Sequence, residues 1–539
     1  AGLSSQQLVD LGTSTLKNLA SLQIAAIETT DISVLSTVQL RALSSVQQQA
    51  LTTAQVSNLT NEQLVGLSST SLSLLTTQQL SALTATKLNN LDTASVSGLI
   101  GSQLASLTTT QTAGLSTDIV ASLNTNAIGS LTTAQIVALT TDQAANLTTK
   151  TVNALTTRQI AVLENEDLAV LTSDNIAVLT SVQLQALTTS QIAGLSSQQV
   201  FELNSTTLQA LTTRQVAALE TRDVAAMSTV SLSNLLSTQL QALTTAQIAG
   251  LSSQQLVDLG TSTLKNLTTT QIAAIETTDV SVLSTAQLLA LNSNQVRALS
   301  TAQVVELTSD QLAGLSSAAV AALTTQQLSV LSGTKRNYLD VASLLALTSA
   351  QVVSLTTTQF ADLSTSAIGA LNTNTVGSLT TAQIVALTTN QAANLTTTTV
   401  KALTTRQIAV LENEDLAVLT SDNIAVLTSV QLQALTTSQI AGLSSQQVFE
   451  LNSTTLQALT TRQVAALETR DVAAMSTVSL SNLLSTQLQA LTTAQIAGLS
   501  SQQLVDLGTS TLKNLASLQI AAIETTDISV LSTVQLRAL

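Results

Sequence analysis

A large apolar residue stands at every eighth position of this chain, from Leu3 to Leu539, without a break in phase. The residue is leucine almost throughout, and isoleucine or methionine replaces it at a few places such as Ile27 and Met227. A fixed short period means that each unit is one structural rung whose apolar side is buried only by neighbouring rungs. The chain is therefore predicted to be a tandem array and not a set of separate globular domains.

The octad Leu131–Ala138, numbered here as positions one to eight, shows how one rung is built. Position two is usually Thr or Ser and position five is usually Gln, which is the pattern of a helix-starting capping box. Position one then precedes the cap and position six lies one turn into the helix, so Leu131 and Ile136 can form a hydrophobic staple. Each octad is predicted to be a short helix of about one and a half turns.

Charges and glycines agree with this placement of the helix. Acidic residues at positions two, four and five would lie in the first turn, and basic residues at position seven would lie near the end, as the helix dipole favours. The acidic set is Asp31, Glu62, Glu164, Glu166, Asp167, Asp174 and Asp223, and the basic set is Lys17, Arg41, Lys265, Arg297 and Lys401. Glycine at position eight is expected to end the helix in a left-handed conformation. These glycines are Gly66, Gly98, Gly114, Gly194, Gly250 and Gly314.

The octad period excludes one continuous helix, because eight residues rotate a helix face by about 80° and the leucines would spiral around the axis. A strand is disfavoured because positions one and six would point to opposite faces of a sheet. The predicted fold is all-α, an elongated solenoid of short capped helices with one helix per eight-residue repeat. A β-solenoid with two octads per coil, in which the glutamines at position five form ladders between rungs, remains the alternative.

A longer repeat of 248 residues lies on top of the octads. Residues 1–43 recur unchanged as 497–539, and residues 154–267 recur unchanged as 402–515, whereas 51–147 and 299–395 match only loosely. The domain prediction is one continuous solenoid over 1–539, with long repeats at 1–248 and 249–496 and a partial one at 497–539. The chain is expected to be a fragment of a longer array.

Composition argues against several classes of function. The chain has no Cys, His or Trp, so Ser–His and Cys–His nucleophile pairs and thiolate metal sites lack their central residues, and no enzyme activity and no cofactor are predicted. A net charge of -14 with only 17 scattered basic residues disfavours nucleic-acid binding. No apolar run approaches the roughly 20 residues of a membrane span.

The densest acidic cluster is Glu164-Asn165-Glu166-Asp167, which recurs as Glu412-Asn413-Glu414-Asp415 with Asp174 and Asp422 one octad further on. Three carboxylates and an amide supply the oxygen ligands that Ca²⁺ prefers. No glycine-containing loop accompanies them, and the same residues fit a solvated first helical turn. We therefore assign no metal, catalytic or cofactor-binding residue from the sequence.

Three further patterns have ordinary explanations within the repeat. Asn58-Leu59-Thr60 and Asn146-Leu147-Thr148 match the N-glycosylation pattern, which an array of Asn-Leu-Thr edges also produces by chance. Lys335-Arg336-Asn337-Tyr338 belongs to the least regular octad, where Arg336 replaces the apolar residue at position six. This segment is a candidate contact point or a tolerated repeat defect.

The Leu-Thr-Thr-x-Gln-Ile-x-Ala pattern resembles octad-repeat regions of giant bacterial surface proteins, some of them adhesin-like or haem-utilisation proteins. The resemblance covers the whole chain and implies an extracellular or cell-surface structural or adhesive role in a bacterium. A haem role finds no support in these residues, since the chain lacks His and Cys and its two methionines occupy position one.

The predicted function is structural: the chain forms or extends an extracellular filament, sheath, stalk or adhesin shaft, through self-association or continuation of the array. The alternative is a binding module whose solenoid surface grips a polysaccharide, a protein or calcium. Near-identity of long segments favours the structural class, because a fibre needs equivalent rungs while a recognition surface diversifies its exposed positions.

Overall fold

The computed structural model describes residues 2–336, 338–339 and 341–539. Two compact units divide the chain, residues 1–275 and residues 276–539. Within the described residues every regular element is a short helix and none is a strand, so the all-α prediction is confirmed and the β-solenoid alternative is wrong. None of these helices is both long and apolar enough to cross a lipid bilayer.

In unit 1–275 one 3-10 helix spans Asp31–Val34, and the α-helices follow the octads one by one. Their bounds are Ser5–Val9, Thr13–Lys17, Ser21–Ala25, Thr37–Ala42, Ser45–Ala50, Thr53–Ser57, Asn61–Val65, Ser69–Leu74, Thr77–Ser81, Ala85–Leu88, Thr93–Val96, Gly101–Ala105, Thr109–Ala113, Thr117–Ser122, Thr125–Ile128, Thr133–Val137, Thr141–Ala145, Thr149–Ala154, Thr157–Ile160, Asn165–Val170, Ser173–Ala177, Ser181–Ala186, Thr189–Ala193, Ser197–Phe201, Ser205–Ala210, Thr213–Ala218, Thr221–Ala226, Thr229–Ser233, Ser237–Ala242, Thr245–Ala249, Ser253–Asp258, Gly260–Leu264 and Thr269–Ala274.

Unit 276–539 is built in the same way. Its α-helices are Thr277–Val280, Thr285–Leu289, Ser293–Ala298, Thr301–Glu306, Ser309–Ala313, Ser317–Ala322, Thr325–Val330, Gly333–Arg336, Val341–Leu345, Ser349–Val353, Thr357–Ala361, Thr365–Gly369, Thr373–Ser378, Thr381–Val385, Thr389–Ala393, Thr397–Ala402, Thr405–Val410, Asn413–Val418, Ser421–Ala425, Ser429–Ala434, Thr437–Ala441, Ser445–Phe449, Ser453–Ala458, Thr461–Ala466, Thr469–Ala474, Thr477–Ser481, Ser485–Ala490, Thr493–Ala497, Ser501–Asp506, Gly508–Leu512, Ser517–Ala521, Thr525–Ile528 and Thr533–Ala538.

Helices that pack against each other within a unit are third neighbours along the chain, as Ser197–Phe201 packs on Thr221–Ala226. Three octads therefore make one coil, and each helix lies on the helix three octads before it. Within each unit the coils bury their apolar sides against neighbouring coils, as in other solenoids. The number of octads per coil had not been predicted for the helical fold.

The core consists of the two apolar columns that the octad pattern predicts. Position six is almost fully buried, with Ile136 at 0% exposure, and position one is nearly as buried, with Leu131 at 6%. The hydroxyl of Thr132 accepts a hydrogen bond from the backbone N–H of Gln135 at 3.2 Å, so the predicted cap is confirmed. Burying two large apolar side chains per octad, at about 1.5–3 kcal/mol each, supplies the main driving force for stacking.

The prediction for glycine at position eight is wrong. Gly250 ends its helix with φ -83° in the right-handed region, and positive φ occurs among the described residues only at Gly260 and Gly508, both at position two. At Gly66, Gly98, Gly114 and Gly250 the reason for glycine is steric. A Cβ on Gly250 would collide with the methyl group of Thr221, which lies in the preceding coil. A Cβ on Gly114 would come within 2.6 Å of the Cβ of Ala85 in the same way.

Candidate functional site: the position-five ladder

The glutamine at position five has two roles at once. In the octad of Gln135, Oε1 accepts a hydrogen bond from the backbone N–H of Thr132 at 2.8 Å, which closes the capping box. Its Nε2 donates to the backbone carbonyls of Leu104 at 2.7 Å and Leu107 at 2.8 Å, which lie 31 and 28 residues earlier in the preceding coil. Each coil is therefore tied to the one before it by side-chain amides. We call this series of contacts the position-five ladder.

The ladder completes the hydrogen bonding of the buried turn between helices. The N–H of Leu131 donates to the carbonyl of Ile128 at 3.2 Å, and the carbonyl of Leu131 accepts from Nε2 of Gln159 in the next coil at 2.9 Å. Both backbone groups of Thr132 bond within its own octad, to Gln135 Oε1 and to the N–H of Ile136. Because unpaired buried backbone groups are costly, the glutamine makes the extended turn stable inside the core.

The ladder is repeated with the same geometry in the two identical long segments. Nε2 of Gln215 lies 2.7 Å from the carbonyl oxygen of Leu184 and 2.8 Å from that of Leu187. Its counterpart Gln463 lies 2.7 Å and 2.8 Å from the corresponding oxygens of Leu432 and Leu435. The rungs are thus equivalent in their contacts as well as in their sequence.

Other donors replace glutamine at position five in some octads. Nδ2 of Asn423 reaches only the carbonyl 28 residues earlier, that of Leu395, at 2.9 Å. Lys87 donates from Nζ to the carbonyl of Leu59 at 2.9 Å and also to that of Ser57. In these two octads an amide and an ammonium group occupy the pocket between the coils, and each donates hydrogen bonds to the carbonyls that line it.

The acidic cluster does not converge on one point. Glu164 and Glu166 are exposed, whereas Asp167 occupies position five and is 2% exposed. Asn165 donates from Nδ2 to the hydroxyl of Ser190 at 2.8 Å in the next coil. The second copy has the same arrangement, with Glu412 and Glu414 exposed, Asp415 1% exposed and Asn413 bonded to Ser438 at 2.8 Å. Asp174 and Asp422 lie in the first turns of the following helices, outside the buried columns.

Burial raises the pKa of the Asp167 carboxyl, Glu164 and Glu166 raise it further, and a hydrogen bond from Thr141 opposes the rise. Within the described residues, no group of three or more carboxylates that could hold a metal ion is present. The aspartate at position five is therefore buried, whereas its acidic neighbours are exposed to solvent. The acidic sequence alone does not show this difference in burial.

The two N-glycosylation patterns lie at helix boundaries. The side chain of Asn58 donates to the carbonyl of Ala54 at 3.0 Å, and that of Asn146 donates to the carbonyl of Asp142 at 2.8 Å. The hydroxyl of Thr60 accepts from the N–H of Gln63 at 3.2 Å, as a helix cap does. These residues therefore have structural roles in the repeat.

The irregular octad of unit 276–539 contains a buried cation. Arg336 is 1% exposed at position six, its Nη1 donates to the carbonyl of Leu331, and Nε and Nη2 have no partner among the described residues. Burial lowers the pKa of Arg336 to about 10, and Asp362 opposes this change. Lys335 fills the ladder pocket and Tyr338 is 44% exposed, while Asn337 lies outside the described residues.

Replacing Arg336 by Leu should stabilise unit 276–539 by about 1–4 kcal/mol, because an apolar side chain would replace a buried and incompletely bonded cation. The corresponding residue of the other long repeat is Leu88, which is 2% exposed in the same column. Urea denaturation of the full chain measures the change. Arg462→Leu, at an exposed position of the same unit, is the control and should change stability little. A loss of stability in Arg336→Leu would show that the guanidinium group stabilises the folded unit.

No curated protein matches this chain in sequence. Among solved structures, the chain is similar to one in "Structure of APUM23-GGAAUUGACGG", with 12% sequence identity, coverage of 98% of this chain and 93% of that chain, and a TM-score of 0.13. A TM-score this low carries no argument about fold or function.

A family model described as ALTTAQ repeat matches eight segments that together make up more than half of the chain: 24–61, 117–149, 160–197, 216–253, 272–309, 365–397, 408–449 and 464–501. The chain belongs to the ALTTAQ repeat family.

Proposed function

We propose that this chain is a structural repeat segment that forms or extends a filament, sheath, stalk or adhesin shaft on the outside of a bacterial cell. The observation that carries the proposal is the equivalence of the rungs. The ladder glutamines bond to backbone carbonyls of the preceding coil, so the contact does not depend on which side chains that coil carries. One octad can therefore follow another without limit, which a self-extending array requires.

The surface supports the same class of function. Most outward-facing residues are Thr, Ser, Ala and Gln, and only 9% of all residues are charged. Aromatic residues, which commonly form the contact platforms of binding surfaces, make up 1% of the chain. Residues 1–43 and 154–267 repeat without change at exposed as well as buried positions, which favours a uniform material over a diversified recognition surface.

Negative-stain microscopy and sedimentation of the full chain over a series of concentrations test this proposal. We expect particles that lengthen with concentration into uniform fibres. Deleting residues 181–204, one coil of three octads, keeps the octad phase and should leave fibre formation intact. Deleting 181–200 shifts the phase by half an octad and should abolish it. Discrete particles of one size at every concentration, combined with binding to a polysaccharide or protein, would favour the alternative of a binding module.

A further inference from the structure

The pocket of the position-five ladder consists of hydrogen-bond acceptors. In the octad of Gln407, Nε2 lies 2.8 Å from the carbonyl oxygens of both Val376 and Leu379. One octad further on, Asp415 stands at the equivalent position, where the corresponding carbonyls are those of Ile384 and Leu387. An ionised carboxylate accepts hydrogen bonds and donates none. An acceptor has therefore replaced the donor that glutamine supplies at this position in most octads.

The surroundings of Asp415 leave one of its oxygens without a partner. The side chain is 1% exposed, and Oδ2 is buried and has no hydrogen-bond partner among the described residues. The hydroxyl of Thr389, in the coil below, bonds to the carboxyl group. A buried acceptor without a donor destabilises the folded state, and more so when it is charged. Protonation of the carboxyl group removes this cost.

Asn423 shows that a side chain of this length can reach the pocket. Asparagine and a protonated aspartic acid have the same shape, and each offers an acceptor oxygen and a donor group. Nδ2 of Asn423 lies 2.9 Å from the carbonyl oxygen of Leu395, 28 residues earlier. Leu387 precedes Asp415 by 28 residues, as Leu395 precedes Asn423.

We propose that Asp415 is a proton-operated latch between two coils. A proton taken from solvent binds the carboxylate, the resulting O–H donates to the carbonyl of Leu387, and the ladder closes. When the proton is lost to solvent, the carboxylate and the carbonyl of Leu387 are both acceptors, and the hydrogen bond between the two coils is broken at this octad. Leu387 lies just before the helix Thr389–Ala393, which packs against the helix Asn413–Val418 that carries Asp415.

The charges around Asp415 on its own octad favour the protonated form. Glu412 and Glu414 raise its pKa. The helices packed against it, Thr389–Ala393 and Thr437–Ala441, carry no charged side chain. Arg406 and Asp422 belong to the helices before and after it along the chain.

Desolvation by burial, followed by the charge of Glu412, raises the pKa of Asp415 from 3.8 to about 6, and the hydroxyl of Thr389 opposes the rise. The folded state therefore binds this proton more tightly than the unfolded state. The resulting stabilisation is fully present below pH 3.8 and is lost as the pH rises through about 6. The difference between the two pKa values corresponds to a change of about 100-fold in the local opening equilibrium.

Hydrogen exchange of the full chain between pH 4 and pH 8, corrected for the intrinsic pH dependence of amide exchange, tests the latch. The peptide of residues 386–400 is the readout, because its sequence differs from that of 138–152 and the two can be distinguished by mass. We expect opening of this peptide to increase by about 100-fold from pH 4 to pH 8. Asp415→Asn, which carries a permanent donor, should keep the peptide closed at every pH.

Asp422→Asn is the matched control, since it removes one carboxylate outside the buried columns, one octad further on. It should leave the pH dependence unchanged. Equal opening at all pH values in the unsubstituted chain would overturn the proposal. A second result would also overturn it: millimolar CaCl₂ at pH 8 lowers the exchange of the peptide in the unsubstituted chain but not in Asp415→Asn. A metal ion would then occupy the pocket in place of the proton.

Discussion

Replacing Gln327 by Leu is expected to lower the free energy of unfolding of unit 276–539 by about 2–5 kcal/mol. The side chain is 2% exposed, and Nε2 donates to the carbonyls of Val296 at 3.0 Å and Leu299 at 2.7 Å. Its Oε1 accepts from the N–H of Thr324 at 2.7 Å. Leucine preserves the volume but satisfies none of these groups, and each buried unpaired group costs about 1–3 kcal/mol. The carbonyl of Val296 keeps a second bond, from the N–H of Leu299, so two groups account for most of the loss.

Gln326 provides the control on the same helix. It stands at position four and its side chain is exposed, so Gln326→Leu should change stability by less than about 0.5 kcal/mol. Urea denaturation followed by circular dichroism measures both variants under the same conditions. Equal effects of the two substitutions would mean that the ladder contributes nothing beyond ordinary packing.

Leu131→Ala is expected to destabilise unit 1–275 by about 2–5 kcal/mol, because the residue is 6% exposed and its removal leaves a cavity between coils. Thr132→Ala should cost about 1 kcal/mol, since it removes only the cap to the N–H of Gln135. The two residues are adjacent, so the comparison separates burial from capping at one place in the coil. Denaturant titration measures the loss of stability in each variant. A larger loss for Thr132→Ala than for Leu131→Ala would contradict the assignment of position one to the core.

The helix of each octad could be predicted from the sequence because its determinants are local. Thr132 and Gln135 are close neighbours in sequence, and Leu131 and Ile136 flank them at the spacing of a hydrophobic staple. The two uses of glutamine were predicted separately, as a cap in the helical fold and as a ladder in the β-solenoid. The structure shows both in one residue, because the two ends of the side-chain amide face different coils.

The features that depend on neighbouring coils could not be predicted. Because the octads have similar sequences, the sequence does not show which earlier octad each one packs against. The contact of Gln135 with Leu107 could therefore not be predicted. For the same reason Gly250 suggested a left-handed helix end, whereas the structure shows that a Cβ there would collide with the methyl group of Thr221 in the preceding coil. Asp415 looked like part of a solvated acidic run, because its burial is visible only once the coils are stacked.

Cysteine cross-linking is the most direct test of the three-octad coil. The chain has no native Cys, so an introduced pair reports one distance. A side chain at Gly250 would contact that of Thr221, and a disulfide needs Cβ atoms about 3.5–4.5 Å apart. The pair at 221 and 250 should cross-link under mild oxidation. The pairs 229 with 250 and 213 with 250, which correspond to coils of two and four octads, should not. Cross-linking of either of these pairs, without that of 221 with 250, would contradict the three-octad coil and the ladder built on it.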